Sequence, residues 1–381
     1  MRVVLMANTA WYLYNHRISL ARELKRRGVD LILLSPADEF APILLEQGFD
    51  WRPISMTRQG LNPMIELATL FKLTRLYRQL QPDVAHHFTT KPVIYGSLAG
   101  RWASVPTIID AITGLGYLFA REGVFGKMLR LLAGLLYRLS LRGPSIKVIF
   151  QNQNDRTLFV DSGWARADQT FLIPGSGVDT EQFSSVEEPD SVPIVLLVGR
   201  MLWDKGVSEF VEAARMLKAR GVEAEFRLVG GTDPGNPAAI PESMLKQWSQ
   251  EGTIQWLGQQ NNMSEVYANS SVVALPSNYR EGVPRTLIEA AAVGRPLVAS
   301  DIPGCRDIVK DGINGFLVPP KDAVQLAAAI EELLENPGLR RRMGQAGREM
   351  VMEKYSDEKI LQATLALYPD LEEAKSSKVQ D

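Results

Sequence analysis

The sequence predicts an α/β protein built from two doubly wound, parallel-sheet domains. Three observations predict it. Short strands that are apolar on both faces alternate with amphipathic helices, the pattern of a covered parallel sheet. The 381 residues exceed what one ordinary core holds. The alternation also breaks once, at the polar, Pro-bearing stretch 181–193 (EQFSSVEEPDSVP), and then starts again.

In the first series, strands are expected at Val3–Met6, Asp30–Leu34, Asp83–His86, Thr107–Ile112 and Lys147–Gln151. Helices are expected at Ile18–Arg27, ended by Gly28, and at Met64–Leu80, Tyr95–Ala103 and Val124–Leu141, with another from Asp155. The second series has strands at Ile194–Val198, Glu225–Val229, Thr253–Leu257, Val272–Leu275 and Pro296–Ser300. Its helices are Val207–Arg220, Glu242–Gln250, Met263–Asn269, Thr286–Val293, Ala323–Glu335 and Leu339–Tyr355. Domains are therefore expected at 1–180 and 194–355, joined by a linker at 181–193. Residues 356–381 form a last helix, Asp357–Leu367, able to return to the first domain, and a polar tail.

The formal net charge of −2 hides an asymmetry. Residues 1–180 carry 21 Lys and Arg against 14 Asp and Glu, whereas the remainder carries 21 against 30. A basic front half suits an anionic partner such as a membrane surface or a diphosphate lipid; a chance imbalance is the competing account. No nucleic-acid motif or dense basic run is present, so no nucleic-acid partner is expected. Cys305 is the single cysteine, which excludes an intrachain disulfide and fits a reducing compartment. The chain enters its first strand with no apolar signal region, and no apolar run reaches the roughly 20 residues of a membrane span. A cytoplasmic protein is expected.

Chemistry concentrates in the second series. Glu281 and Glu289 bracket Gly-Val-Pro-Arg-Thr-Leu-Ile, directly after an apolar strand. Pro284 suits a first helical turn, so the stretch reads as strand, turn and helix N-terminus, where free amides favour an anion. Gly282 and Val283 shape the turn. The amides of Thr286, Leu287 and Ile288 could hold a phosphate, Glu281 a sugar hydroxyl, and Glu289 a ribose. Taken alone, Glu281 reads more readily as a solvated turn residue and Glu289 as an ordinary helix carboxylate. Gly199-Arg200-Met201-Leu202-Trp203-Asp204-Lys205-Gly206 sets two cations five apart after a strand, spaced to meet one phosphate group. Gly230 and Gly231, and Leu257 before Gly258, end the next two strands, where backbone can approach a ligand closely; tight turns explain them as well.

Glu281–Glu289 resembles the E-x7-E motif, and Gly199–Gly206 the G-R-x4-K-G signature, of retaining GT-B glycosyltransferases of family four. The resemblance covers nearly the whole chain. It implies two Rossmann-like domains facing a cleft, the first, 1–180, binding the acceptor and the second, 194–355, a nucleotide-sugar donor with no further cofactor, and Arg200 and Lys205 on the donor diphosphate. It also places Glu281 on the donor sugar and Glu289 on the ribose. Three stretches narrow it to the branch of bacterial polyprenyl-diphosphate-linked N-acetylhexosaminyltransferases: Asn8–Asn15, which replaces a common Gly-Gly loop, His86–Gly96 and Ala111–Tyr117. Thr113 stands where many members have a donor-site histidine, and Lys91, His86 or His87 are the candidates to compensate.

The activity implied is transfer of a sugar from a UDP-sugar to a polyprenyl-diphosphate-linked sugar acceptor at the inner face of the cytoplasmic membrane. A UDP-sugar epimerase or hydrolase of the same fold, or a non-catalytic UDP-sugar-binding subunit, are the rivals. No Asp-x-Asp occurs, so no essential metal is expected. Lys127, Arg130, Arg138 and Arg142 fall on an arc of about 120° of one helix whose remainder is apolar, a pattern suited to docking on a bilayer surface. A domain helix with one wet edge fits it equally. Lys72 and Arg75 give the helix at Met64–Leu80 a second basic face.

Overall fold

The structure, a computed structural model, describes residues 1–57, 62–115, 123–369 and 371; of 123–125 and 127 it describes the backbone alone. Gly116, Tyr117, the Lys127 side chain and the tail beyond Leu371 therefore lie outside the described residues. The chain divides into two compact units, residues 1–176 with the chain from Glu358 onward, and Gly177–Asp357.

The first unit is a seven-stranded sheet of β1 (Arg2–Met6), β2 (Asp30–Ser35), β3 (Asp50–Pro53), β4 (Val84–Phe88), β5 (Thr107–Ile112), β6 (Ile146–Phe150) and β7 (Thr170–Leu172). The order is β3-β2-β1-β4-β5-β6-β7, with every pairing parallel. Its helices are α1 (Ala10–Arg26), α2 (Ala41–Glu46), α3 (Pro63–Leu80), α4 (Thr90–Trp102), α5 (Gly123–Ser140) and α6 (Gln153–Asp161). Side chains on β1 alternate between two cores: Val3 and Leu5 join Val84 and Phe88, while Val4 and Met6 join Ala85 and Tyr77. That two-sided burial is why the strands read as continuous apolar runs.

Two helices start earlier than the sequence predicts. α1 begins at Ala10 because the Thr9 side chain caps it, accepting from the Tyr12 amide at 3.0 Å. The aromatic run Trp11–Tyr14 blurs its apolar period, although Leu13, Arg17, Leu20 and Leu24 keep the buried face. α4 begins at Thr90 instead of Tyr95, so Lys91, expected in a loop, lies in a helical first turn. β3 escapes a sequence reading because it is an edge strand of Asp-Trp-Arg-Pro.

The second unit is a six-stranded parallel sheet of β8 (Ile194–Val198), β9 (Glu225–Val229), β10 (Gln255–Trp256), β11 (Val272–Leu275), β12 (Leu297–Ser300) and β13 (Gly315–Val318), ordered β10-β9-β8-β11-β12-β13. Its helices are α7 (Val207–Ala219), α8 (Glu242–Gln250), α9 (Met263–Ala268), α10 (Arg285–Val293), α11 (Cys305–Ile308), α12 (Ala323–Glu335) and α13 (Pro337–Lys354). The stretch expected as a linker, 181–193, packs on this unit. Its polar groups serve buried arginines: Arg295 donates to the carbonyls of Val186 and Glu187, and Arg340 pairs with Glu188 at 2.9 Å. Phe183 is buried in the same core as Val178 and Tyr267.

The last helix, α14 (Asp357–Leu365), leads the chain into the first unit. Ile360, Leu365, Leu367, Tyr368 and Leu371 complete the core built on Val3 and Leu5, and Lys147 Nζ donates to the Leu367 carbonyl at 2.6 Å. In each sheet the strand order reverses once, between β1 and β4 and between β8 and β11. Open parallel sheets bind ligands outside the carboxyl ends of strands at such switch points.

Candidate active site

At the switch point of the second unit, the chain leaves β8 through Gly199 and makes one 3₁₀ turn at Trp203–Lys205. Gly206 follows with φ +72°, and a Cβ there would stand 1.9 Å from the Pro276 carbonyl oxygen. Only glycine lets the turn lie that close to the end of β11. The turn thereby carries Lys205 to the loop after β11, where Lys205 Nζ donates to Glu281 Oε1 at 2.5 Å. Ser277 Oγ donates to the same oxygen at 2.9 Å. The two charged side chains keep only 15% and 10% of their surface. Glu281 Oε2 receives no hydrogen bond among the described residues and stays available to a ligand hydroxyl. Burial works against the Lys205 ammonium, but Glu281 and the Tyr279 phenol outweigh it and hold its pKa above the usual lysine value. Tyr279, whose ring centroid lies 5.2 Å from that ammonium, is pushed up by burial and then by Glu281.

Arg200 leaves the same turn and donates to Asp233 Oδ2 at 2.7 Å. The guanidinium remains exposed while Asp233 is largely covered, so its outer edge can meet an anion. Gly230, at φ +143°, brings the end of β9 against the end of β8: a Cβ would lie 1.8 Å from the Gly199 oxygen. Backbone packing thus accounts for Gly230. Gly231 receives the Met201 amide on its carbonyl, and the half-buried Leu257 donates to Leu228.

The helix after Glu281 differs from expectation. The amides of Leu287 and Ile288 both donate to the Pro284 carbonyl, at 3.1 and 3.3 Å, so they are spent inside α10. Among the described residues, the amides that remain without a partner at this helix start are those of Arg285 and Thr286. Val283 is a core residue beside Ile288 and Cys305, and Gly282 is buried with it. Glu289 is also buried; its Oε1 accepts from Arg285 Nε at 2.7 Å and its Oε2 from the Tyr267 hydroxyl at 3.1 Å. Each carboxylate oxygen has two acceptor sites, so a ribose hydroxyl would join this set rather than find it empty.

In the first unit the histidine pair is withdrawn from solvent, which corrects the expectation that His86 or His87 stands in for the missing donor-site histidine. β4 is central and covered on both faces. His86 Nδ1 lies 2.7 Å from the Tyr368 hydroxyl, and burial above all holds its pKa well below the ordinary imidazole value. His87 bridges Asp110 Oδ1 at 2.8 Å and the Tyr77 hydroxyl at 2.9 Å, while Ser97 donates to the other Asp110 oxygen. Every member of that chain is buried, so it organises the core. Lys91 donates to Glu66 Oε1 at 2.6 Å and to Thr57 Oγ1 at 3.2 Å. Asn8 and Thr113 sit half-buried at the ends of β1 and β5, their side chains unbonded among the described residues.

The sequence reading missed Ser277, Tyr279 and Asp233 as partners of the charged residues, and Glu66 altogether. Ser277 and Glu281 are four apart across an irregular loop, a spacing with no pattern to betray it. On α5 the outward face is apolar: Met128, Leu131, Leu132, Leu135 and Leu139 are exposed, Leu131 to 76%, while Ala133 and Tyr137 face the core. Arg138 is exposed and Arg130 half-buried on that helix, and Lys72 and Arg75 are exposed on α3. No described helix is long and apolar enough to cross a membrane.

Residues 178–350 match the family model described as glycosyl transferases group 1, and residues 2–152 match that described as glycosyl transferase 4-like. Along 97% of this chain and 98% of the relative, the sequence is 29% identical to N,N'-diacetylbacillosaminyl-diphospho-undecaprenol alpha-1,3-N-acetylgalactosaminyltransferase of Campylobacter jejuni. It is 24% identical, over 69% of each chain, to the UDP-Gal:alpha-D-GlcNAc-diphosphoundecaprenol alpha-1,3-galactosyltransferase of Escherichia coli. The fold is shared with Anabaena Alr3699/HepE in its complex with UDP, at a TM-score of 0.76 and 19% identity, covering 96% of this chain and 99% of that one.

Proposed function

Because the chain belongs to the group 1, GT4-like glycosyltransferases of GT-B fold, we propose that it moves an N-acetylhexosamine from a UDP-sugar to a polyprenyl-diphosphate-linked saccharide, with retention at the transferred carbon. The observation that carries this reading is Glu281: Lys205 and Ser277 fix one oxygen, and the other is left for a donor-sugar hydroxyl. In the reaction the bond from the anomeric carbon to the diphosphate breaks and one to the acceptor oxygen forms on the same face. The acceptor proton passes to the departing diphosphate. Arg200, Lys205 and the amides of Arg285 and Thr286 oppose the charge that develops there. No covalent carboxylate is needed, and turnover is expected to survive a chelator.

The enzyme works at the inner face of the cytoplasmic membrane, held by the apolar outer face of α5 and the cations of the first unit. Measuring UDP release from a panel of UDP-sugars, with and without polyprenyl-diphosphate-linked saccharides, tests the reaction. Release that depends on the acceptor supports transfer. Release without any acceptor makes the protein a hydrolase. Co-sedimentation with anionic vesicles, abolished by Lys127→Glu, Arg130→Glu and Arg138→Glu together, tests the membrane step; wild type left in the supernatant removes it.

A further inference from the structure

The loop that carries Glu281, from Pro276 to Pro284, has no helix or strand of its own. Backbone packing pins it at two places: Gly206 lies against Pro276, and a Cβ on Gly304 would run into the Gly282 carbonyl oxygen. Between these pins Asn278 is bound to three other elements. Its backbone amide donates to the Asp204 carbonyl at 2.8 Å, in the 3₁₀ turn that bears Lys205. Its side-chain Nδ2 donates to Glu209 Oε1 at 2.8 Å, in the first turn of α7. Its Oδ1 accepts from the Lys321 amide at 3.1 Å, in the chain that follows β13.

No other side chain of that length supplies both of the last two bonds. Glu209 demands a donor and the Lys321 amide demands an acceptor, which also settles which end of the Asn278 amide is nitrogen. Both partners are themselves held. Ser208 Oγ donates to the other Glu209 oxygen at 2.8 Å. Lys321 meets Asn278 from a left-handed backbone, φ +63°, which is uncommon for a residue with a side chain and persists where the surroundings over-determine it. The Asn278 side chain is thus spent on α7 and on the chain after β13, and bonds neither Lys205 nor Glu281.

We propose that Asn278 is a positioning residue for the transfer: by tying the loop to α7 and to the chain after β13, it sets where Ser277 and Glu281 stand relative to Lys205. The inference rests on the role of Glu281 proposed above. Asn278 adjoins Ser277, whose Oγ fixes Glu281 Oε1 at 2.9 Å, so a displaced Asn278 passes its shift to the carboxylate through one peptide unit and one hydrogen bond. The remaining Glu281 oxygen then meets a sugar hydroxyl at the wrong distance or angle, and hydrogen bonds weaken steeply with misalignment. A misplacement of about 1 Å caused by a residue away from the chemistry can cost about a hundredfold in rate.

The test is an exchange of donor and acceptor in the full-length protein. Asn278→Asp sets a second carboxylate against Glu209, and is expected to lower kcat about tenfold or more while calorimetric UDP affinity stays within about twofold of wild type. Glu209→Gln, which keeps an acceptor for Asn278, should lower kcat by less than threefold. Asn278→Asp combined with Glu209→Gln again sets one donor against one acceptor, and should bring kcat back to within threefold of wild type. A general loss of stability would not be recovered in that way. An Asn278→Asp enzyme as fast as wild type overturns the role. So does a loss of kcat that the folded double variant fails to recover, or one matched by an equal loss of UDP affinity. Should the double variant not fold, Asn278→Ala decides: a kcat lowered severalfold with UDP affinity kept supports the role, and an unchanged kcat overturns it. Wild type that transfers to no polyprenyl-diphosphate saccharide instead sinks the functional reading itself, and the positioning role falls with it.

Discussion

The two switch points carry nearly the same ion pair and put it in different company. Lys205–Glu281 and Lys91–Glu66 are separated by 2.5 and 2.6 Å and are almost equally covered. Around the first lie a serine hydroxyl on one carboxylate oxygen, an exposed arginine, and the unbonded amides of a helix start. Around the second lie a threonine, a tyrosine and exposed apolar side chains, and among the described residues Lys91 is the one cation paired with Glu66. An ion pair of given geometry says that a site is polar and ordered. Its neighbours decide what the site can hold.

The comparison breaks most sharply at Glu281. Glu281→Ala is expected to abolish transfer while leaving UDP affinity nearly intact, as the proposed contact of the carboxylate with the sugar rather than the nucleotide requires. Calorimetry showing a large loss of UDP binding would be evidence against that division. Next in size, Lys205→Ala or Arg200→Ala should lower kcat by about two to three orders of magnitude, the scale of losing one charge-stabilising donor. Wild-type turnover in both would remove the diphosphate from this end of the second unit.

Glu289→Ala sharpens the contrast within the second unit. It should weaken UDP itself, and it strips the buried Tyr267 hydroxyl of its acceptor, at a cost of about 1–3 kcal/mol in stability. A melt that does not shift, combined with unchanged UDP affinity, would leave Glu289 without either role. The smallest effect concerns pH. The folded pKa of Lys205 lies above its unfolded value, so the pair's stabilisation is complete below roughly pH 10 and is lost only as pH rises through the higher folded value. Transfer rates across roughly pH 6 to 9 should therefore show no limb that Lys205→Arg moves. A limb shifted by that substitution would mean that the lysine titrates within the working range.

Much of this could be read from residue order alone. The six strands around the two switch points, β1, β4 and β5 and β8, β11 and β12, are covered on both faces and mostly apolar, and announce themselves. Gly199–Gly206 and Glu281–Glu289 were legible because motif spacing and strand ends coincide. Glu66 was not, because it reaches Lys91 from 25 residues away in sequence, on a helix whose period looks ordinary. Leu287 and Ile288 were assigned free amides because sequence fixes a helix start only to within a turn, and one residue decides which amides are spent. The histidine pair misled for a different reason: adjacency at a strand end says nothing about which layer covers it. Tyr368, the partner of His86, stands 282 residues further along.

That last distance bears on how the protein is made. Ile360, Leu365, Leu367, Tyr368 and Leu371 belong to the core built on the first strand, yet a ribosome adds them after the whole second unit. Domains tend to fold as units while synthesis proceeds from the N-terminus. Here the earliest strands emerge with one wall of their core missing and with both nitrogens of His86 lacking the phenol that one of them meets. The first unit therefore waits, open along that wall, while its successor folds. A chain stopped at residue 356 would keep that wall open for good, leaving His86 without the Tyr368 hydroxyl and Lys147 without the Leu367 carbonyl that each meets.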